Sequence, residues 1–565
     1  MFIKITPRKK KNKTYYFAAL VESFWNKEKG YPDHKVIKNF GMVTKEESER
    51  LKLSYSRKIK TFQLIEAVSG KNIIKAGKGY DIGDCYLLSN IWEEWQISKT
   101  IDKLASKRFD TNVSEIIKLL VLNRLLFPTS ENFISKWYQD LSGIKWVIPL
   151  STKELHYRRL YRYTKELNRI FPEIMKNLFK QLKKKIHSNQ NPDHIYYDIT
   201  STYFEGKHIA VIAQYGYSRD KRRDKKQVVL AMVVDRYGFP IYAEVLPGNT
   251  LDKTTVKDIS RKLKTMFKLT NCIIVGDRGM ISNDNFKEII GNNMNYLMAL
   301  DRSHIKLELK DKTEELLKLK DNEIKIIEKE EKTFLIEFNE SRKKEETKTR
   351  NRLLKKMGDR LIFLKERFKK GYKNYSKIEN IEYWLGKLNE KYPCKRFYKL
   401  EYDESKNKLD FKILTDKISD EERYDGFFVL QSSDRNAINS KSIEVYRNLS
   451  KVENGFKSLK SDLDVRPIYH QKEEMIKGHI YTCILSYLIE NYISYILKTK
   501  ARINTNVRTI LKELSQITLI EKKKDKETIG FEITECSENN KKVLNCFGLN
   551  IKKLEADVGK TFHSV

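Results

Sequence analysis

Between His194 and Leu300 the chain alternates short apolar runs with amphipathic ones in an order that few folds accommodate. Residues 194–200 (H-I-Y-Y-D-I-T), 228–235 and 239–246 read as three strands, the last two joined by the turn Arg236-Tyr237-Gly238. After Pro247-Gly248-Asn249 the period changes, and Val256, Ile259, Leu263 and Met266 fall on one helical face. A strand at 272–277, a helix at 283–291 and a strand at 296–300 complete a β-β-β-α-β-α-β series. An antiparallel meander followed by helix-linked strands predicts an α/β fold, a mixed sheet flanked by helices.

That series is the order of a ribonuclease-H-like domain, in which the first and fourth strands are neighbours at the sheet centre. Asp198 lies on the first strand and Asp277 ends the fourth, so this order predicts that the two carboxylates approach each other. The last helix of such a domain is delayed. Residues 302–425 intervene, with strand-like runs at 323–327, 334–338, 397–402 and 409–414. Between them runs a charged helix whose Leu353, Met357, Leu361, Leu364 and Phe368 form one stripe. A segment of that length with its own apolar pattern reads as an α+β insertion domain, not a loop. The core resumes with a strand at 427–431 and a helix at 440–463 that ends before Pro467. On this helix Tyr446, Glu453 and Lys460 are spaced by seven and drift only about 20° per step, so they share a stripe. Leu449, Val452, Phe456, Leu459 and Leu463 form the apolar stripe beside it.

The 565 residues carry 111 Lys+Arg against 76 Asp+Glu, a formal net charge of +35. A field of that sign attracts a polyanion, nucleic acid first, with binding that weakens as salt rises. Around the core the expected organisation follows from this. Residues 1–78 form a basic arm (Arg8, Lys9, Lys10, Lys11, Lys13) and a small β element with strands at 14–21 and 35–40, followed by a polar helix. Residues 79–190 are helical and assigned to DNA binding, 191–301 and 426–500 are the two parts of the core, and 302–425 is the insertion. Residues 501–565 give no functional signal. The six cysteines are scattered with no C-x-x-C spacing, which argues against structural zinc and for a reducing compartment. The N-terminus has no apolar h-region, and Ile480 to Leu497, broken by Glu490 and Asn491, reads as a buried core helix. The expected location is therefore the cytoplasm, with no membrane partner.

Asp198, Asp277 and Glu453 thus stand on three separate elements. Such a layout suits two Mg²⁺ ions roughly 3.5–4 Å apart that clamp the attacking and leaving oxygens of a phosphodiester exchange. Mg²⁺ takes hard oxygen ligands and keeps several waters, so three carboxylates suffice.

The chain resembles the DDE transposases of bacterial insertion sequences, in the branch with the signature Y-x2-R-x3-E-x6-K. Tyr446, Glu453 and Lys460 match it, and Leu449 stands at the arginine position, with Lys457 the substitute suggested by helical projection. Asp198-Ile199-Thr200 resembles the D-x-T of the first aspartate, and Gly276-Asp277-Arg278-Gly279 the second. Tyr215 to Arg222 with Gln227 resembles a G-[YH]-S-[KR]-D block, and Gly238, Pro240, Gly248, Asn249 and Asp252 fall at G-x-P and G-N-x-x-D. The resemblance implies that Asp198, Asp277 and Glu453 hold two Mg²⁺ ions, for which Mn²⁺ can substitute, with Asp198 bridging. It implies terminal phosphates held by Tyr446, Lys460, Lys457 and Arg278. The basic run that contains Arg219 and Arg222 is a further candidate for backbone binding. It implies a homodimer on paired ends, binding double-stranded terminal inverted repeats and target DNA, with strand cleavage and 3′-OH strand transfer. The competing readings are a Mg²⁺-dependent DNA nuclease without strand transfer and a catalytically inactive DNA-binding derivative.

Overall fold

The computed structural model describes residues 2–10, 13–26, 31–43, 48, 51, 67–69, 72–109, 112–140, 142–205, 210–405, 407–435, 438–524 and 527–564. Strands β1 (Phe2–Lys10), β2 (Lys13–Asn26) and β3 (Tyr31–Val43) form an antiparallel sheet in that order. β4 (Ala67–Ser69) and β5 (Asn72–Asp81) precede five helices, α1 (Gly83–Glu94), α2 (Ile97–Leu104), α3 (Val113–Leu126), α4 (Glu131–Asp140) and α5 (Tyr157–Ile186). Then come β6 (His194–Tyr203), β7 (Gln227–Asp235), β8 (Pro240–Pro247), α6 (Asp252–Phe267), β9 (Ile273–Gly276), α7 (Asn283–Gly291) and β10 (Asn295–Ala299). The intervening segment holds α8 (Arg302–Leu309), β11 (Ile324–Lys329), β12 (Lys332–Phe338), α9 (Glu340–Lys369), α10 (Ile378–Lys391), β13 (Tyr398–Asp403), β14 (Lys408–Ile413) and α11 (Thr415–Glu422). The chain ends with β15 (Phe427–Ser432), α12 (Ser442–Arg447), α13 (Ser450–Ser461), α14 (Glu473–Ile496), α15 (Val507–Leu514), β16 (Thr518–Lys524), β17 (Glu527–Ile533), α16 (Glu538–Cys546) and α17 (Ile551–Ser564). The fold is α/β, with a mixed sheet flanked by helices in the ribonuclease-H-like order.

Two compact units divide this chain. One comprises Met1–Thr255, Lys262–Leu269 and Ser450–Val565, the other Val256–Arg261 and Thr270–Leu449.

In the first unit β6, β7 and β8 form an antiparallel meander, with Asp198 opposite Met232 and Met232 opposite Ala243. All of β7 is buried, as its unbroken apolar run V-V-L-A-M-V-V requires of a strand covered on both faces. α14 packs on α5, α3, α13 and β8, and its Tyr487 hydroxyl donates to the Gly238 carbonyl at the β7–β8 turn (2.8 Å). α14 is apolar enough to cross a membrane, but 78% of its most apolar window is buried within the protein, as expected of a core helix. α3 is buried around nearly its whole circumference, so it builds core and has no face to offer a DNA groove. The exposed basic stripe of the helical region lies on α5, at Arg158, Arg162, Lys165 and Arg169. Arg8, Lys9 and Lys10, expected in a free arm, belong to β1 and pair with Tyr15, Thr14 and Lys13 of β2. The polar helix expected after Gly41 falls almost wholly outside the described residues.

In the second unit β9 and β10 are parallel (Ile274 opposite Tyr296), and β10, β12 and β11 extend the sheet through β15 in the order β11-β12-β15-β10-β9. The runs at 323–327 and 334–338, expected inside the insertion, are therefore strands of this sheet. Leu335 opposes Leu430, and Phe334 and Ile336 share a core with Phe427 and Val429. The segment with a separate core begins at α9, where Leu354, Met357, Leu361, Leu364 and Phe368 pack on Ile381, Leu385, Phe397 and Leu409.

The helix expected over 440–463 is two helices. The N–H of Asn448 reaches both Glu444 O and Val445 O, and that of Leu449 turns to Tyr446 O (2.9 Å), tightening the last turn of α12 and ending it. Leu449 is buried, so an apolar side chain is drawn inward at the break. Only Glu453 and Lys460 of the expected stripe share a helix.

α13 approaches the meander closely because Gly455 faces it. A Cβ there would lie 2.8 Å from Met232 Cε and 3.0 Å from the Tyr487 ring. Gly455→Val is expected to destabilise the protein by about 1–3 kcal/mol through overpacking, read from the urea midpoint.

Candidate active site

Side chains alternate across a strand, so Asp198, Thr200 and Thr202 share one face of β6 while Tyr197, Ile199 and Ser201 take the other. α13 packs against β6. The Lys460 ammonium donates to Thr200 Oγ1 (2.7 Å), so the helix lies over the face that carries Asp198. Asp198 is half-buried and accepts at Oδ1 from the Ile199 N–H (2.7 Å). Glu453 is exposed in the first turn of α13, where the helix dipole favours a carboxylate.

Lys460, two turns further, is the anchor of this helix. Besides Thr200 it reaches Asp220 Oδ1 (2.8 Å), and Arg466 Nη1 meets the same oxygen at 2.6 Å. The Asp220 side chain is only 6% exposed, so the carboxylate is a buried acceptor shared by two cations. Burial pulls the Lys460 pKa below its ordinary value, and the Asp220 carboxylate opposes that shift. A lysine expected at a DNA phosphate is therefore held by the protein's own acid. Lys457, one turn earlier, is exposed.

In the second unit Asp277 caps the short turn Arg278–Met280, its Oδ1 accepting from the Arg278 N–H (2.7 Å). The Tyr446 hydroxyl donates to the same oxygen at 3.4 Å, and its ring lies 5.5 Å from that of Phe428 on β15. Arg278 Nε stands 3.9 Å from Asp277 Oδ1, and about half of each side chain is exposed. Leu449, where the signature has arginine, is buried and offers no charge.

A model of the transposase DDE domain family matches residues 189–489, more than half of the chain, and a model of the IS1634 family transposase N-terminal domain matches residues 3–63. The chain belongs to the DDE transposases of insertion sequences. No curated protein matches it. Among solved structures, a cryo-EM piggyBac transposase synaptic complex with hairpin DNA aligns at 10% identity, with 77% of this chain and 80% of that chain covered and a TM-score of 0.38. Membership in this family implies a DNA-acting enzyme that uses a divalent metal ion.

The other charged residues of the transposase core sort by partner. Arg219 pairs with Asp252, and Arg222 makes two bonds to Asp224 (2.9 Å each), so both arginines expected at the DNA backbone have carboxylate partners in the free protein. Asp235 is fully buried, accepting from the Tyr237 and Phe239 N–H groups (2.9 Å each) and facing His187 Nε2 at 2.7 Å; it fastens a turn. Arg278 also opens on a cleft of about 650 Å³ whose other arginines include Arg302 and Arg350, both paired with Asp425.

Glu131, His470 and His479 form a cluster with metal-ligand chemistry, but its atoms are already spoken for. His479 meets the Val465 carbonyl through Nε2 (3.1 Å) and Arg124 through Nδ1 (3.3 Å), while His470 Nε2 lies 3.2 Å from Glu131. The Arg124 cation stands where a metal would need neutral or anionic ligands. Burial and then Arg124 hold His479 down at about 3. Burial raises the Glu131 carboxyl, but His470 and Arg124 outweigh it and bring it to about 2.

Neither Asp220 nor Arg466 carried a sequence signal for a site role, since Asp220 lies 240 positions from its lysine. Asp220→Asn is expected to cost about 3 kcal/mol or more, because Lys460 and Arg466 are left together without a counter-charge. In urea unfolding the Asp220→Asn/Lys460→Met double variant should recover part of that loss. The buried cluster sets an acid limit. Both shifted groups are depressed, so the unfolded chain binds their protons first and stability is lost as pH falls, from 6.5 through about 3 for His479 and from 4.5 through about 2 for Glu131. Thermal midpoints measured from pH 7 to 4 should fall, with a shallower slope in His479→Gln.

Proposed function

We propose that Asp198, Asp277 and Glu453 together hold two Mg²⁺ ions, and that the transposase binds the terminal inverted repeats of its element, cleaves at their ends and joins the 3′-OH to target DNA. The observation that carries this reading is Lys460 on Thr200, which ties the helix of Glu453 to the strand face of Asp198. The donor set fits the metal: carboxylate oxygens, reachable by solvent at Glu453 and Asp277, are the hard ligands that Mg²⁺ takes. Bound there, the two ions would activate a water or a 3′-OH and neutralise charge on the exchanged phosphodiester.

The chain's own residues do the rest. The Tyr446 hydroxyl and the Arg278 N–H on Asp277 Oδ1 restrain that carboxylate. Arg278 and Lys457, both exposed, are the cations this reading assigns to phosphates. Lys460 acts from behind, holding α13 in register through Asp220, and its role in phosphate binding passes to Lys457. The homodimer on paired DNA ends expected from the resemblance belongs to this proposal.

Asp198→Asn, Asp277→Asn and Glu453→Gln are each expected to lower Mg²⁺-dependent cleavage and strand transfer by more than about 100-fold, the loss typical of outer residues around a metal being 10- to 100-fold. Binding of a repeat-end duplex should persist. Cleavage retained in Asp198→Asn sinks the assignment, and cleavage without joining in the native protein marks a nuclease. Lys457→Ala is expected to reduce the slope of log K against log salt by about 1. An unchanged slope removes Lys457 from the phosphate contacts.

A further inference from the structure

Two tyrosines stand unburied on a loop whose backbone is held by several hydrogen bonds. Tyr215 and Tyr217, either side of Gly216, are 61% and 75% exposed. The backbone beneath is knitted tightly. Gln214 and Gln227 exchange both N–H···O bonds (3.0 and 2.9 Å), and the Gly248 N–H donates to Ile212 O (3.0 Å). The Gln227 side chain, 1% exposed, donates to the carbonyls of Tyr217 (3.0 Å) and Gly248 (2.9 Å). A Cβ on Gly216 would lie 2.2 Å from Gly248 O, and one on Gly248 2.0 Å from Gln227 O, so only glycines let these strands of backbone meet. Arg219 lies 5.7 Å from the Tyr217 ring and is fixed by Asp252.

A large apolar side chain gains about 1.5–3 kcal/mol when buried, and this loop forgoes burial of two aromatic rings, either side of Gly216, while fixing their backbone. The next residues, Arg219 to Lys226, read R-D-K-R-R-D-K-K, six cations against two carboxylates. Exposed π-faces next in sequence to a cationic stretch are the elements of a stacking platform for nucleic-acid bases. Bases in an intact duplex already stack on one another and show a protein only their edges. The ligand that fits is therefore unpaired.

We propose that Tyr215 and Tyr217 form a stacking ledge for unpaired DNA bases, such as those at a frayed or cut DNA end, with Arg219 bracing the Tyr217 ring. The ledge rests on the reading that this transposase acts at DNA ends, but it makes its own demand on affinity. The test uses the full chain in metal-free buffer with two fluorescent duplexes, one blunt and one with a short unpaired 3′ tail that carries 2-aminopurine. The native protein is expected to bind the tailed duplex about tenfold more tightly and to quench its 2-aminopurine. Tyr215→Ala and Tyr217→Ala should each reduce that preference about fivefold or more, the double variant should abolish it with the quenching, and Tyr217→Phe should keep it. Affinity for the blunt duplex should stay unchanged in all of them.

Equal affinity of the native protein for both duplexes overturns the ledge, as does a preference that survives in the double alanine variant. An equal loss on both duplexes shows duplex contact instead and also overturns it. Asp198→Asn separates this from the catalytic proposal: it should keep the tail preference while losing cleavage. A tail preference in a native protein that does not cleave would leave the ledge standing and the catalytic reading refuted.

Discussion

The distance at which α13 lies from β6 and β7 governs where the first unit puts its acidic groups. Two contacts fix it. Gly455 removes the side chain that would hold the helix away from Met232 and Tyr487, and Lys460 reaches across to Thr200 and Asp220. The first is a steric permission and sets the approach. The second is polar and directional, and sets the register along the strand.

Seven residues of α-helix advance about 10 Å, nearly two full turns. Lys460 and Glu453 therefore stand on one side of α13, far enough apart that one can be tied down while the other reaches solvent. The tie is made with groups that suit burial: a hydroxyl two residues from Asp198, and a carboxylate that also receives Arg466. Two cations on one carboxylate leave a positive surplus on the β6 face that carries Asp198. Such a surplus favours an anionic group nearby, so the anchor supports the acidic strand electrostatically as well as mechanically.

What could be read in the sequence was whatever lies in local periodicity. The three-strand meander declared itself through unbroken apolar runs and Gly238, and β9, α7 and β10 through the change of period after Gly248. The break at Asn448–Leu449 was invisible because Tyr446, Glu453 and Lys460 keep a spacing of seven straight through it, and spacing carries no record of a turn. β11 and β12 read as insertion strands because pairing with β15 joins residues about ninety positions apart, and no local pattern records a partner. The pairing of Asp220 with Lys460 was equally invisible, because it joins residues 240 positions apart.

The same distinction orders the charges of a chain that carries a surplus of +35. Arg222–Asp224 is largely exposed, and solvent screens such a pair, so a phosphate can take the arginine at little cost. Arg219–Asp252, less exposed, is an intermediate case. Lys460–Asp220 sits at 13% and 6% exposure, where parting the ions leaves an uncompensated charge in a poorly solvated place. The outer arginines can therefore exchange partners at little cost, while the inner lysine keeps its carboxylate. Burial, more than residue type, decides which cations are open to exchange and which stay with the scaffold.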